Sequence, residues 1–191
     1  MAVADRPQVH PERREDWRAW LAEHNASADG VWLVSWKQAT GRPAIGYEAA
    51  VEEALCFGWI DSLARTLDEE RSMLLFTPRK PGSGWSRSNK ERVARLEASG
   101  LIEPAGAAVV EAARADGSWT ALDDIENLVV PGDLAAAFAA RTGAAEHWEA
   151  FPRSVKRAIL AWIYGAKRPE TRATRVEETA AEAAEGRRAN Q

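Results

Sequence analysis

The chain has 191 residues, with 46% hydrophobic and 28% charged side chains and a net charge of −4. That balance excludes wholesale disorder and allows one substantial core, or a core domain with a small appendage. One cysteine excludes a disulfide framework, and the negative balance excludes a generic nucleic-acid binder. Three histidines and one cysteine, far apart in sequence, match no metal-ligand spacing, so no metal is expected. Nine tryptophans stand against four phenylalanines and two tyrosines, where about two tryptophans are usual for this length.

The opening Met1-Ala-Val-Ala-Asp-Arg-Pro-Gln-Val-His10 has no apolar h-region, so no secretory signal is expected. No stretch approaches the roughly 18 apolar residues of a membrane span. With a free cysteine, these features point to the cytoplasm.

Trp17, Trp20, Leu21 and His24 fall on one stripe of a first helix. Asn25–Gly30 stops it with turn formers. Val31–Lys37 is β-branched and aromatic and reads as a strand, with Trp32, Val34 and Trp36 on one face. After the Thr40–Pro43 loop, Tyr47, Ala50, Val51, Ala54 and Leu55 mark a second helix, closed by Gly58. Two short strands follow, Trp59–Ala64 and Ser72–Thr77, joined by the polar turn Asp68-Glu69-Glu70. Beyond the basic loop Pro78–Asn89 everything reads as helical: about Asn89–Ser99, Pro104–Ala115, Thr120–Glu126, Pro131–Ala140, Ser154–Ala166 and Pro169–Glu185. Pro131 and Pro169 suit first-turn positions, and the alanine-rich end Ala180–Gln191 is expected to fray. The fold class is therefore α+β, a small antiparallel sheet packed with helices followed by an all-helical C-terminal subdomain, with domains 1–117 and 118–191.

The run Tyr47-Glu-Ala-Ala-Val-Glu-Glu-Ala-Leu-Cys-Phe-Gly-Trp-Ile-Asp-Ser62 resembles the signature of the YdeI/OmpD-associated, OmdA-like bacteriocin-protection family. Phe76-Thr-Pro-Arg-Lys-Pro-Gly-Ser-Gly-Trp-Ser86 with Asn89 continues the likeness, as does Ala166-Lys-Arg-Pro-Glu-Thr-Arg172 with Arg175 and Val176. The resemblance runs from Trp17 to about Gly186. It implies a helical C-terminal segment and a label of bacteriocin protection and porin association, and it carries over no catalytic residue.

Among candidate chemical groups, Cys56 lies near a helix C-terminus, where the dipole disfavours a thiolate, and reads as core. Asp61 is out of place in an apolar strand and shares a face with Trp59; it is a candidate general base, with Glu53 of the preceding helix as a second carboxylate. The bland alternative is a structural brace between Asp61 and Arg79. The Arg79–Asn89 loop is glycine-rich and basic, as anion sites often are, but no Gly-Lys-Ser/Thr closes the glycine run; Ser86, Ser88 or Asn89 equally suits a helix cap. No cofactor motif is visible, so no cofactor is expected.

Arg79–Arg95 holds six cations and one anion, and Arg153–Arg175 seven and one. Such runs attract anions or nucleic acid, or serve as solvated helix faces. The leading expectation is a small organic ligand, anionic or aromatic, in a cleft walled by Trp32, Trp36, Trp59 and Trp85, with Asp61, Arg79 and Ser86 as polar contacts. A protective or regulatory role through protein contacts is the alternative, and nucleic-acid binding ranks last.

Overall fold

The computed structural model describes residues 5–190; the part of the leader reading that rests on residues 1–4, and the final Gln191 of the tail, lie outside them. The chain divides into two compact units at Ala121–Leu122. Among the described residues no helix is long and apolar enough to cross a membrane.

The first unit is built on side-chain alternation. Strand β2 (Val31–Trp36) turns Val31 and Leu33 into the main core and Trp32, Val34 and Trp36 to the other face. It pairs antiparallel with β4 (Arg71–Pro78), which pairs antiparallel with β3 (Trp59–Thr66). A two-residue edge strand β1 (Gln8–Val9), too short to leave a pattern in sequence, adds in parallel beside β2, giving the order β1-β2-β4-β3. The β3–β4 register slips between Asp61 and Ala64.

Helices α1 (Arg14–His24) and α2 (Tyr47–Cys56) pack together beside the sheet. Trp17 and Leu21 are fully buried, as the stripe predicts, and the Trp17 indole N–H donates to the Ala50 carbonyl at 3.1 Å. That bond satisfies the one polar atom of an otherwise apolar side chain. His24 stacks on Trp20, ring centroids 4.6 Å apart. Gly58 takes φ +75° after α2, where a Cβ would also meet Val109.

Helices α3 (Arg87–Ala98) and α4 (Pro104–Asp116) complete the unit. Gly106 lets α4 close on the end of α2: a Cβ there would stand 2.2 Å from the Cys56 carbonyl oxygen, which already accepts from Glu103 N at 3.0 Å. Cys56 is fully buried and burial pushes its thiol pKa up, in keeping with a core residue.

The second unit holds α5 (Asp123–Glu126), α6 (Gly132–Ala139), α7 (Ala144–Ala150), α8 (Arg153–Tyr164) and α9 (Pro169–Ala184). Leu134, Phe138, Trp148, Ile159, Leu160, Ile163 and Val176 form its core. Three expectations are corrected here. Pro131 is the N-cap of α6, with extended ψ of 154°, rather than a first-turn residue. Helix α7 stands where no helix is expected. Ala180 and Ala183 do not fray: both are fully buried, because the small alanine face of α9 lets α6 and α7 pack closely against it.

Candidate functional site

In the first unit sheet and helix meet at a groove of about 470 Å³. Its apolar lining is Leu33, Ile45, Ala50 and Leu74; Ser35 and Ser72, directly paired across β2 and β4, supply hydroxyls. Trp36 and Lys37 close one end, and Tyr47, the first residue of α2, stands at the other. Alternation explains the arrangement: Leu33, Ser35, Ser72 and Leu74 project from one face of the sheet.

Cations gather around Trp36. The Arg42 guanidinium lies 4.2 Å and the Arg71 guanidinium 5.7 Å from its ring centroid, and His10 packs against it at 4.8 Å. Arg42 pairs with Glu70 and Arg71 with Asp68. Lys37 Nζ donates to the carbonyls of Asp68 and Glu69.

At the far end the Tyr47 hydroxyl donates to Asp61 Oδ2 at 3.0 Å. Burial raises the Tyr47 pKa, and the Asp61 carboxylate raises it further, so the phenol stays protonated and keeps donating. Arg92 lies 5.9 Å from the Tyr47 ring centroid while bonding Glu48 at 2.6 and 3.0 Å.

The sequence-derived site residues divide among separate places. Trp36 lines the groove, and Asp61 reaches it through Tyr47. Trp32, on the same face of β2 as Trp36 but at the other end of the strand, is buried, with the Arg65 guanidinium 5.4 Å from its ring centroid. Trp59 is buried in the main core, edge-on to Trp20, its indole N–H donating to Asn25 O. Arg79 and Trp85 form a separate pair, the guanidinium 3.8 Å from the Trp85 ring centroid. Ser86 is the N-cap of α3, its Oγ accepting from Asn89 N at 3.4 Å. The four tryptophans therefore do not wall one cleft, and Asp61 is braced by Tyr47 rather than by Arg79.

Glu53 is only 3% exposed and faces α1, where Arg14 Nε at 2.5 Å and Arg18 Nη1 at 2.7 Å bond its two oxygens. Burial works against the Arg18 charge, but its pairing with the Glu53 carboxylate favours it and its pKa is raised. A carboxylate with both oxygens committed to guanidinium groups is poorly placed to take a proton.

Tyr47 is the groove residue that sequence reasoning missed, having counted it only as part of a helix stripe. The available signal was a tyrosine directly after Gly46, more than half exposed in the fold.

Residues 9–109 match the family model described as a domain of unknown function, DUF8412, and residues 127–186 match that described as Bacteriocin-protection, YdeI or OmpD-Associated, OmdA. The chain belongs to the DUF8412 family and carries an OmdA domain. No curated protein and no solved structure matches it. In this DUF8412–OmdA chain the groove, the Tyr47–Asp61 pair and Arg79 all fall within the first match, as do the motifs at Tyr47–Ser62 and Phe76–Ser86. The motif at Ala166–Arg172 falls within the second, which spans α6 to α9.

Proposed function

We propose that the DUF8412 unit binds a small organic molecule in the groove between the sheet and α2. The supporting observation is the groove itself: about 470 Å³, with an apolar floor, two hydroxyls, and distinct ends at Trp36 and at Tyr47–Asp61. Ligand pockets of roughly 300–1,000 Å³ with a few converging polar groups are the usual size and make-up of small-molecule sites. An aromatic or aliphatic body would lie on Leu33, Ile45 and Leu74. An anionic group suits the Lys37–Arg42 end, and a hydrogen-bonding group suits Tyr47. Of the two candidate carboxylates, Asp61 is the one we place at this site as proton acceptor or ligand contact; Glu53 we read as a brace between α1 and α2. We place the protein in the cytoplasm.

The test is intrinsic fluorescence across a panel of aromatic and carboxylate metabolites. Saturable quenching that disappears in Trp36→Phe and weakens in Tyr47→Phe, but survives in Trp119→Phe, supports the groove. No saturable change with any panel member, or a change indifferent to Trp36, refutes it.

A second reading, a protective role through protein contacts, draws on the bacteriocin-protection description of the OmdA family. It is favoured by a pocket of about 190 Å³ in the second unit, floored by Leu160 and Ile163 and flanked by the exposed Val129 and Tyr164. Leu128 there holds φ of +59°, an uncommon conformation for a bulky side chain that turns the chain at Val129. If partner contact is the function, Tyr164→Ala abolishes protection in a killing assay while Trp36→Phe leaves it intact.

A further inference from the structure

A guanidinium partly withdrawn from water is normally compensated by a carboxylate. Arg79 is not. Its Nη2 donates to two neutral carbonyls, Ser83 O at 3.3 Å and Gly84 O at 2.5 Å, and its Nε is buried with no hydrogen-bond partner. No carboxylate lies within ion-pairing distance of it among the described residues, and burial alone pulls its pKa down to about 10, so the group remains charged at neutral pH. One flat face is covered by Trp85, itself 2% exposed. Of the five N–H donors of a guanidinium, those on Nη1 remain uncommitted.

Beside this group lies a small, partly open cavity of about 60 Å³, between the Lys80–Ser83 loop and the Val109–Ala113 face of α4. One water needs only about 10–15 Å³ by a comparable measure, so the space suits a polyatomic group rather than a single solvent molecule. Asp116 also borders the cavity, but its Oδ1 accepts from Ser118 N at 2.8 Å. The carboxylate stays ionised, but it is exposed to solvent and turned to the Ser118 amide instead of to Arg79. The result is a fixed, unpaired cation on an aromatic plate at the wall of a small cavity.

We propose that this cavity is a binding site for a small oxyanion, free or as the terminal group of an organic molecule, held by the Arg79 guanidinium. The site is distinct from the Trp36 groove and does not rest on the reading given for it. An oxyanion entering here accepts charge-assisted hydrogen bonds from Nη1 and supplies the countercharge that Arg79 lacks. Trp85 keeps the guanidinium plane in place, so recognition depends on the fork of donors and not on positive charge alone.

The test uses the full chain at constant ionic strength, with chloride replaced by inorganic phosphate, sulfate, acetate or methyl phosphate. Bound oxyanion at about 10 mM is expected to raise Tm by about 3 °C or more relative to chloride, since a ligand that binds only the folded state stabilises it. Phosphate against methyl phosphate distinguishes a free ion from a terminal group. The rise is lost in Arg79→Met, is reduced in Arg79→Lys, and persists in Lys80→Ala and Trp36→Phe. Because Arg79→Met removes loop contacts and can fail to fold, Ala112→Phe, which fills the mouth of the cavity from the exposed side of α4, is the second variant: it melts as the wild type does in chloride and loses the anion effect. No rise with any of the four anions overturns the proposal. So does a rise that survives in Ala112→Phe.

Discussion

Replacing Glu53 by glutamine separates a structural carboxylate from a catalytic one. The side chain is 4% exposed and accepts from Arg14 Nε and Arg18 Nη1, whose own side chains are 37% and 29% exposed. Hydrogen bonds involving charged groups contribute about 1.5–3 kcal/mol each. Two of them set an upper bound of about 6 kcal/mol, but arginines about a third exposed recover part of their hydration when the partner is neutralised, which about halves the loss. Glu53→Gln is therefore expected to cost about 2–3 kcal/mol, a fall in Tm of roughly 10 °C for a unit of this size. Thermal and urea unfolding followed by far-ultraviolet circular dichroism measure it. The two sites touch, so Glu53→Gln with Arg18→Met costs less than the sum of the single changes. A Glu53→Gln protein within about 0.5 kcal/mol of wild type refutes the brace.

Other perturbations probe different parts of the same argument. Gly106→Ala, which in an exposed helix interior gains about 1 kcal/mol, is expected instead to cost about 2–3 kcal/mol in urea unfolding, because its Cβ meets the Cys56 carbonyl oxygen at 2.2 Å; a gain in stability refutes the close approach. Trp148→Ala empties a 2% exposed indole packed 5.3 Å from Phe138 and costs about 3–5 kcal/mol by the same measurement. Arg172 bonds both Asp133 oxygens and holds that carboxyl below its ordinary pKa. The folded value is depressed, so the pair's contribution is complete above the unfolded pKa of about 3.9 and is lost as pH falls through the lower folded one. Arg172→Met is then about 0.5 kcal/mol less stable at pH 7, with a difference that closes at lower pH; a difference constant across the titration refutes the assignment.

Periodicity made the core legible wherever a covering layer lies on the expected side. Trp17 and Leu21 sit four residues apart on a polar helix, and both are fully buried. Helix α7 left no such trace: its seven residues bury only Ala144 and Trp148, too few for a stripe. The alanine face of α9 was legible in composition but not in consequence, because small side chains mark a frayed end and a close helix contact alike.

The site was legible in its residue types and not in their partners. Period two places Trp32 and Trp36 on one face of β2, yet Trp32 is sealed and Trp36 stands at a groove mouth, a difference set by what packs over each end of the strand. Asp61 and Arg79 are a chemically sensible pair, an acid in a strand and a cation just past the end of the next. The fold brings Tyr47 to Asp61 and leaves Arg79 among loop carbonyls. Which donor reaches a carboxylate depends on how α2 crosses the end of β3, a tertiary quantity with no sequence period. That separation leaves each half of the expected brace facing its own cavity or groove: Asp61, through Tyr47, at the edge of one, and Arg79 uncompensated at the wall of another. A single brace would have paired both groups, whereas their separation leaves a carboxylate–phenol pair and a lone guanidinium at different places in one unit.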